Sequence, residues 1–238
     1  MNNGSPRVAE EFYRDKLFEL VGEHSEWLEL GCGYQLLPWW LKDSERDQQR
    51  LAERCKRLVG IDAVADDIAR HPYLHEQVVG DIEKMPFADG TFDLLTARSV
   101  VEHIAAPERF LCEVRRVLRP GGCFLMATPN LFYYQLLAAS VTPEEIKKRL
   151  VRFFEGRVEQ DVFPAFYRMN TCASVRRMAD AAGLEICSLD TVECPPEFGR
   201  LGHPIVDLER AVTAALRCRP LAQLRAVIIA VLCKPDDR

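Results

Sequence analysis

Three acidic side chains of this chain stand at the ends of short apolar runs. Glu29 precedes a Gly-Cys-Gly turn at 31–33, Asp62 ends a second run, and Asp81 follows a third. Glycine adopts backbone angles that a Cβ forbids, so such a turn lets a ligand press against the main chain. Open α/β sheets bind ligands at the carboxyl ends of their strands. The pattern therefore predicts that these carboxylates meet at one edge of a sheet.

The acids have chemistry that suits an adenosine group. A carboxylate at the position of Asp62 can accept hydrogen bonds from both hydroxyls of a ribose. Asp81 suits the exocyclic amine of an adenine, with Ile82 against the ring. Phe92–Arg98 is predicted as a fourth strand beside this pocket, and a Pro-Gly-Gly turn leads into a fifth.

Five motifs follow one another in a fixed order, namely LELGCG, VGID, GDIEKMPFADGTFDLL, VVEHI and RVLRPGG. In this order they resemble the class I S-adenosylmethionine-dependent methyltransferases, and most of all the small-molecule branch called methyltransferase type 11. The resemblance runs from about Trp27 to Pro129 and weakens beyond Asn130.

The resemblance implies that S-adenosylmethionine lies across the strand ends. Its implied binding residues are Glu29, Gly31, Cys32, Gly33, Asp62, Ala63, Asp81, Ile82 and Ser99. The family usually has a third glycine where this chain has Gln35. That side chain is expected either to narrow the methionine end of the pocket or to bond the ligand.

His103 is the candidate proton acceptor. Transfer of a methyl group from a sulfonium needs mainly geometry and the exclusion of water, but a hydroxyl acceptor also benefits from a base. His103 follows the fourth strand on the ligand side, and imidazole titrates near neutral pH. We therefore predict an oxygen nucleophile on a small-molecule acceptor. The alternatives are that His103 bonds a loop backbone or only shapes the cofactor pocket.

The alternation of apolar runs and helical stretches predicts an α/β fold. The resemblance specifies a Rossmann-like, doubly wound sheet of seven strands whose last strand, about Leu224–Leu232, is antiparallel. Residues 1–238 are expected to form a single domain with helical cap insertions at 131–168 and 195–220. Long insertions in compact domains are usually functional lids. Aromatic side chains predicted to line an acceptor site there are Phe132, Tyr133, Tyr134 and Tyr167.

Composition limits the partners. The net charge of −5 argues against a nucleic acid held by phosphate neutralisation. The apolar run from Ala226 to Cys233 is too short to span a bilayer, so no membrane partner is expected. Nine cysteines without a Cys-x-x-Cys pair favour a reduced, cytoplasmic protein, and no Cys/His cluster has metal-ligand spacing. The oligomeric state cannot be derived from these residues.

Two other classes of protein fit part of the pattern. A nicotinamide-dependent oxidoreductase needs Gly-x-Gly-x-x-Gly, but Leu36 stands three residues after Gly33. A binding protein that holds S-adenosylmethionine without turnover stays open because of Gln35. Co-purified ligand and turnover together would separate the three classes.

Overall fold

The computed structural model describes residues 8–133, 164–194, 211–212, 214–216 and 218–236. Its helices are α1 (Ala9–Leu20), α2 (Ser44–Arg54), α3 (Ala65–Ile68), α4 (Pro107–Val117) and α5 (Cys172–Ala181), with short 3₁₀ helices at Val101–His103 and Arg219–Leu224. Its strands are β1 (Glu26–Leu30), β2 (Arg57–Asp62), β3 (Glu76–Val79), β4 (Phe92–Arg98), β5 (Leu118–Pro129), β6 (Glu185–Val192) and β7 (Val227–Cys233).

The strands form one seven-stranded sheet in the order β3-β2-β1-β4-β5-β7-β6. The pairs from β3 to β5 are parallel, whereas β7 runs antiparallel to both β5 and β6. The predicted doubly wound sheet with an antiparallel last strand is therefore confirmed. The strand order reverses between β1 and β4, which is the point where such sheets form a ligand crevice.

Alternation along the strands assigns residues to the two faces of the sheet. In β1, Leu28 and Leu30 join the apolar cluster under α4 and α5, whereas Trp27 joins the cluster under α1 and α2. Side chains in a strand alternate between faces, so Glu29 lies on the same face as Trp27. In β4, Thr96 and Arg98 share the face of Leu94, which packs in the cluster with α1. A polar stripe therefore crosses the sheet beneath α1.

The helix ends differ in how they are capped. α5 begins with a capping box in which the Thr171 hydroxyl accepts the Ser174 N–H at 3.0 Å. α4 has Pro107 in its first turn, where the missing N–H of proline costs no hydrogen bond. α2 begins at Ser44 after Asp43 in a left-handed conformation, and no side chain of the described residues caps its first turn. The hydroxyl of Ser44 instead donates to the Leu37 carbonyl at 3.4 Å.

The cysteines do not all remain thiols. Cys187 and Cys233 are joined by a disulfide although 46 positions separate them. Strands β6 and β7 are neighbours, and a register shift between Ile186 and Ser188 falls at Cys187. Sequence spacing gives no sign of this pairing, because only the antiparallel return of β7 brings the two positions together.

Parts of the two predicted cap segments, 131–168 and 195–220, lie outside the described residues. These parts include residues 134–163, with Tyr134, and residues 195–210.

Over the ranges that are described, no helix is long and apolar enough to cross a membrane. In the same described ranges, no three His, Cys, Asp or Glu side chains lie together as a metal site would require.

Candidate functional site

The turn after β1 requires glycine. Gly31 has a φ of +59° and Gly33 a φ of +51°, both in the left-handed region. A Cβ on Gly31 would lie 2.5 Å from a methyl carbon of Val100. The Gly31 N–H donates to the Ile61 carbonyl at 2.8 Å, which fixes the turn to the end of β2.

Asp62 joins the ends of β1 and β2. Its Oδ2 accepts the Gly33 N–H and its Oδ1 accepts the Val64 N–H, each at 2.8 Å. An ionised carboxylate offers about four lone-pair positions. Two backbone bonds therefore hold the group in place and leave further positions for a ligand.

A large cavity, of about 490 Å³, opens at the carboxyl ends of β1, β2 and β4. Its volume is within the usual range for small-molecule sites. The residues that line it are Gly31, Asp62, Ala63, Val79, Gly80, Asp81, Ile82, Glu83, Ser99, Val100, His103 and Ile104. Residues predicted from three separate motifs thus meet around one space. Asp81 accepts the Glu83 N–H at 2.8 Å, so it too is held by backbone.

A second cavity, of about 160 Å³, adjoins the glycine turn. Glu29, Cys32 and Gly33, the remaining predicted cofactor residues, line this cavity, as does Gln35, which departs from the family pattern. The full lining is Glu29, Gly31, Cys32, Gly33, Tyr34, Gln35, Asp67 and Arg98. The thiol of Cys32 packs close to Gly60, and its burial raises the pKa of that thiol well above its usual value. The thiol is therefore uncharged.

Glu29 lies in a buried hydrogen-bonded chain. Trp27 Nε1 donates to the Thr96 hydroxyl at 2.6 Å, and that hydroxyl donates to the Glu29 carboxylate. Burial raises the pKa of Glu29 to about 7. Its charge is thus sensitive to pH near neutrality and to any cation that binds beside it.

His103 ends the 3₁₀ helix that follows β4. Its Nδ1 lies 3.1 Å from the Pro164 carbonyl oxygen. A carbonyl oxygen only accepts, so Nδ1 carries the proton of this bond. In the neutral ring Nε2 then has no hydrogen and can accept one. His103 therefore both bonds a loop backbone and lines the large cavity.

Ser99 separates two spaces at the end of β4. Its φ is +57°, a conformation uncommon for residues other than glycine and often found at functional sites. The Ser99 N–H donates to the Ala127 carbonyl at 2.9 Å, which holds the bend against β5. One side of Ser99 faces the large cavity, and the other faces a third cavity beside α1.

Comparison with known proteins identifies this arrangement. Residues 28–126 match the family model described as a methyltransferase domain. A Mycolicibacterium smegmatis protein described as an S-adenosylmethionine-dependent methyltransferase is 31% identical over 136 residues, covering 52% of this chain and 49% of that protein. The chain carries a class I S-adenosylmethionine-dependent methyltransferase domain.

Other relatives of this methyltransferase domain differ in their described acceptors. A ubiquinone biosynthesis O-methyltransferase of Cereibacter sphaeroides is 30% identical over 132 residues, which is 52% of this chain and 49% of that protein. The chain spans about half the length of these curated relatives, or less. The match therefore leaves the acceptor open.

Solved structures share the fold at low sequence identity. The methyltransferase in a complex with the Haloferax volcanii Trm112 activator has a TM-score of 0.61 and 20% identity, with 95% of this chain and 90% of that chain covered. The cyclase SpnF has a TM-score of 0.59 and 17% identity, with 99% and 86% covered. A neighbour described as a cyclase illustrates that this fold does not by itself fix the reaction.

The cofactor of the methyltransferase domain is S-adenosylmethionine, and the residues present fit it. The close approach of Val100 leaves no room for a Cβ at Gly31, and the Asp62 carboxylate has lone pairs that its two backbone hydrogen bonds do not use. Apolar Ile82 and Ile104 lie in the same cavity as polar Asp81, which suits a flat base with an amine at its edge.

The predicted acceptor residues that the structure describes do not line the cavities given above. Tyr167 is half-buried with a φ of +51°, and Phe132 is 46% exposed. Within the described part of the chain, Phe132, Tyr133 and Tyr167 are not among the residues that line the three cavities. The N–H groups of Phe166 and Tyr167 donate to the Glu102 carbonyl at 2.7 and 3.1 Å, so this segment is tied next to His103.

Helix α1 supplies a further part of the site. A third cavity, of about 70 Å³, lies between α1 and the ends of β4, β5 and β7. Tyr13 lines it, whereas the next residue, Arg14, pairs with Asp15 at 3.0 Å and Asp47 at 3.5 Å. The signal that could have found it is the alternation in β4, which points Arg98 toward the helix.

Proposed function

We propose that this protein transfers the methyl group of S-adenosylmethionine to an oxygen atom of a small-molecule acceptor. The observation that carries the proposal is the large cavity at the strand ends, where Gly31, Asp62, Asp81, Ser99 and His103 meet. The methyltransferase family match covers the same stretch of chain.

Each part of the cofactor has a proposed partner. Asp62 would accept the ribose hydroxyls, and Asp81 with Ile82 would hold the adenine. Glu29 and the glycine turn at 31–33 would face the methionine part, with Cys32 and Ala63 beside them. When bound, S-adenosylmethionine supplies a methyl group already activated by the positive sulfur. The residues of the chain then need to orient the acceptor and exclude water.

His103 is the proposed base. The hydrogen bond of Nδ1 to the Pro164 carbonyl orients the ring and leaves Nε2 as the proton-accepting atom. A hydroxyl must lose its proton as it takes the methyl group, and an imidazole nitrogen with a free lone pair can accept that proton. This supports a hydroxyl acceptor over a carboxylate or thiolate, which needs no base.

The acceptor is proposed to be a small molecule rather than a nucleic acid. The net charge of −5 offers little attraction for a phosphate backbone. The described relatives include O-methyltransferases of ubiquinone biosynthesis and a norajmaline N-methyltransferase. We place the acceptor beyond His103, in a single domain of residues 1–238, under the segments 131–168 and 195–220. Its aromatic wall would include Phe132, Tyr133, Tyr134 and Tyr167.

Turnover measurements test the proposal. Purified protein would be incubated with S-adenosylmethionine and a panel of hydroxylated metabolites, and S-adenosylhomocysteine would be measured by mass spectrometry. With an active acceptor, His103→Ala is expected to lower kcat about 10²- to 10⁴-fold, while cofactor affinity by calorimetry stays unchanged. His24→Ala, at an exposed turn position, is the matched control.

Two results would contradict the proposal. Tight cofactor binding with no release of S-adenosylhomocysteine for any acceptor would indicate a binding protein without turnover. A His103→Ala variant at full speed would remove the base, and with it the argument for oxygen.

A further inference from the structure

The cavity beside α1 is small and lies at the border of the cofactor site. It shares Arg98 with the cavity at the glycine turn and Ser99 with the large cavity. Its other polar walls are Glu10 and Tyr13 of α1 and Thr128 of β5. The space therefore lies across β4 from the strands whose ends would hold the adenosine.

Among the residues that the structure describes, three polar atoms of this cavity are buried and make no hydrogen bond, namely Glu10 Oε2, the Tyr13 hydroxyl and Arg98 Nε. The Tyr13 hydroxyl lies near Thr96, whose own hydroxyl is already bonded to Trp27 and Glu29. The Tyr13 side chain is 1% exposed, so solvent does not satisfy it. Buried polar atoms in folded proteins are nearly always paired, and each exception needs a reason such as a missing ligand or water. Three exceptions around one cavity point to a missing group.

The bonding capacity of these atoms defines that group. Arg98 Nε can only donate. Burial raises the pKa of Glu10 and the nearby Arg98 guanidinium opposes that rise, and in its ionised form the Glu10 carboxylate can only accept. Burial raises the pKa of Tyr13 well above its usual value, so its hydroxyl keeps a proton to donate. The three unpaired atoms thus offer two donors and one acceptor. A hydroxyl group has one donor and two acceptor lone pairs, which is the matching set.

We propose that this cavity binds a hydroxyl group of the methyl acceptor. That hydroxyl donates to Glu10 and accepts from Arg98 and Tyr13. An ammonium group would leave both protein donors unpaired, and a carboxylate would leave Glu10 unpaired. That this hydroxyl belongs to the methyl acceptor rests on the proposed function. That the cavity binds a hydroxyl group rests on the three unpaired atoms alone.

The size of the cavity limits what enters it. About 70 Å³ holds a hydroxyl and the carbon atoms next to it, and not a whole metabolite. The rest of the acceptor must extend past Ser99 toward the large cavity and His103. An acceptor with its hydroxyl in this cavity is therefore held beside the place proposed for the cofactor.

Fragment binding tests the proposal without knowledge of the acceptor. The probes are 4-fluorophenol and fluorobenzene, which differ by one hydroxyl, observed by fluorine NMR with and without S-adenosylhomocysteine. We expect 4-fluorophenol to bind at least about tenfold more tightly than fluorobenzene. Tyr13→Phe and Glu10→Leu should each remove most of that difference, because each deletes one hydrogen bond to the hydroxyl. Lys16→Gln, on α1 but paired with Glu19, is the control.

Each outcome decides the proposal. Equal binding of both probes would overturn it, as would a preference for the phenol that survives Tyr13→Phe and Glu10→Leu. A crystal structure with only an ordered water on the three atoms, in the presence of excess 4-fluorophenol, would assign the cavity to water and overturn it too. Failure to bind S-adenosylhomocysteine would instead contradict the proposed function, since the probe titration without that ligand remains readable.

Discussion

The two cavities on either side of Ser99 differ in how their polar groups are satisfied. In the large cavity, Asp62 accepts two backbone N–H groups and Asp81 accepts one. In the cavity beside α1, no group in the described ranges of the chain forms a hydrogen bond with Glu10 Oε2 or the Tyr13 hydroxyl. The first is arranged by the chain before any ligand arrives. The second has polar atoms whose partners a ligand would have to supply.

This difference has an energetic meaning. A carboxylate fixed by backbone bonds loses little freedom when a ligand binds, which favours affinity. A buried polar atom without a partner costs roughly 1–3 kcal/mol of stability. The groups proposed to bind adenosine are therefore ordered before binding without a loss of folding stability. The unpaired groups beside α1, in contrast, lower the free energy of unfolding. Substitutions on the two sides should separate binding from stability.

The largest effect on cofactor affinity is expected from Asp62→Ala. It removes the proposed ribose partner together with the bonds to Gly33 and Val64. The loss of this half-buried, hydrogen-bonded carboxylate, about 1.5–3 kcal/mol, should raise the Kd for S-adenosylmethionine about 10- to 150-fold in calorimetry. Asp66→Ala, an exposed acid at the start of α3, should leave that Kd unchanged.

An unchanged Kd in Asp62→Ala would show that the ribose assignment is wrong. An equal loss in Asp66→Ala would indicate a general effect of charge in this region. Either result would remove the contrast between a prearranged cavity and an incomplete one.

The adenosine side could be predicted because its signals are local. The apolar runs read from the sequence and the strands of the structure have the same bounds at Arg57–Asp62 and Phe92–Arg98. Glycines that tolerate a left-handed φ and acids at strand ends are visible within a few residues of each other. Doubly wound topology then brings separate strand ends together.

The meeting of α1 with Arg98 could not be predicted because it depends on distant packing. Strands β1, β2 and β3 lie between α1 and Arg98 in the chain, and no local pattern shows which turn of α1 packs over β4. The pairing of Cys187 with Cys233 could not be predicted for the same reason. The residue type of Trp39 is likewise no guide to its burial, because this large aromatic side chain is 78% exposed.

An intermediate effect on stability is expected from the titration of Glu29, which lines the cavity at the glycine turn. Its pKa is raised from 4.5 to about 7 by burial. The folded state therefore binds a proton more tightly than the unfolded state. The stability that this proton contributes is fully present below about pH 4.5 and is lost as the pH rises through about 7.

Urea denaturation at a series of pH values measures this effect. Between about pH 4.5 and 7.5 the free energy of unfolding of the wild type should fall relative to Glu29→Gln by on the order of 1–3 kcal/mol. Glu53→Gln, an exposed acid on α2, should track the wild type. Parallel curves for the wild type and Glu29→Gln would mean that Glu29 is ionised throughout this range.

The smallest effect, and the sharpest contrast, is expected from removing one buried hydroxyl. Tyr13→Phe deletes a hydroxyl without a partner, so the free energy of unfolding should change by less than about 0.5 kcal/mol or rise. Thr96→Val deletes a hydroxyl that accepts from Trp27 and donates to Glu29 on the same face of the sheet. Because both partners are then left buried and unpaired, this variant should lose roughly 1–3 kcal/mol. If Tyr13→Phe lost as much as Thr96→Val in urea denaturation without ligand, the Tyr13 hydroxyl would already be satisfied within the protein, and the cavity beside α1 would need no ligand to complete it.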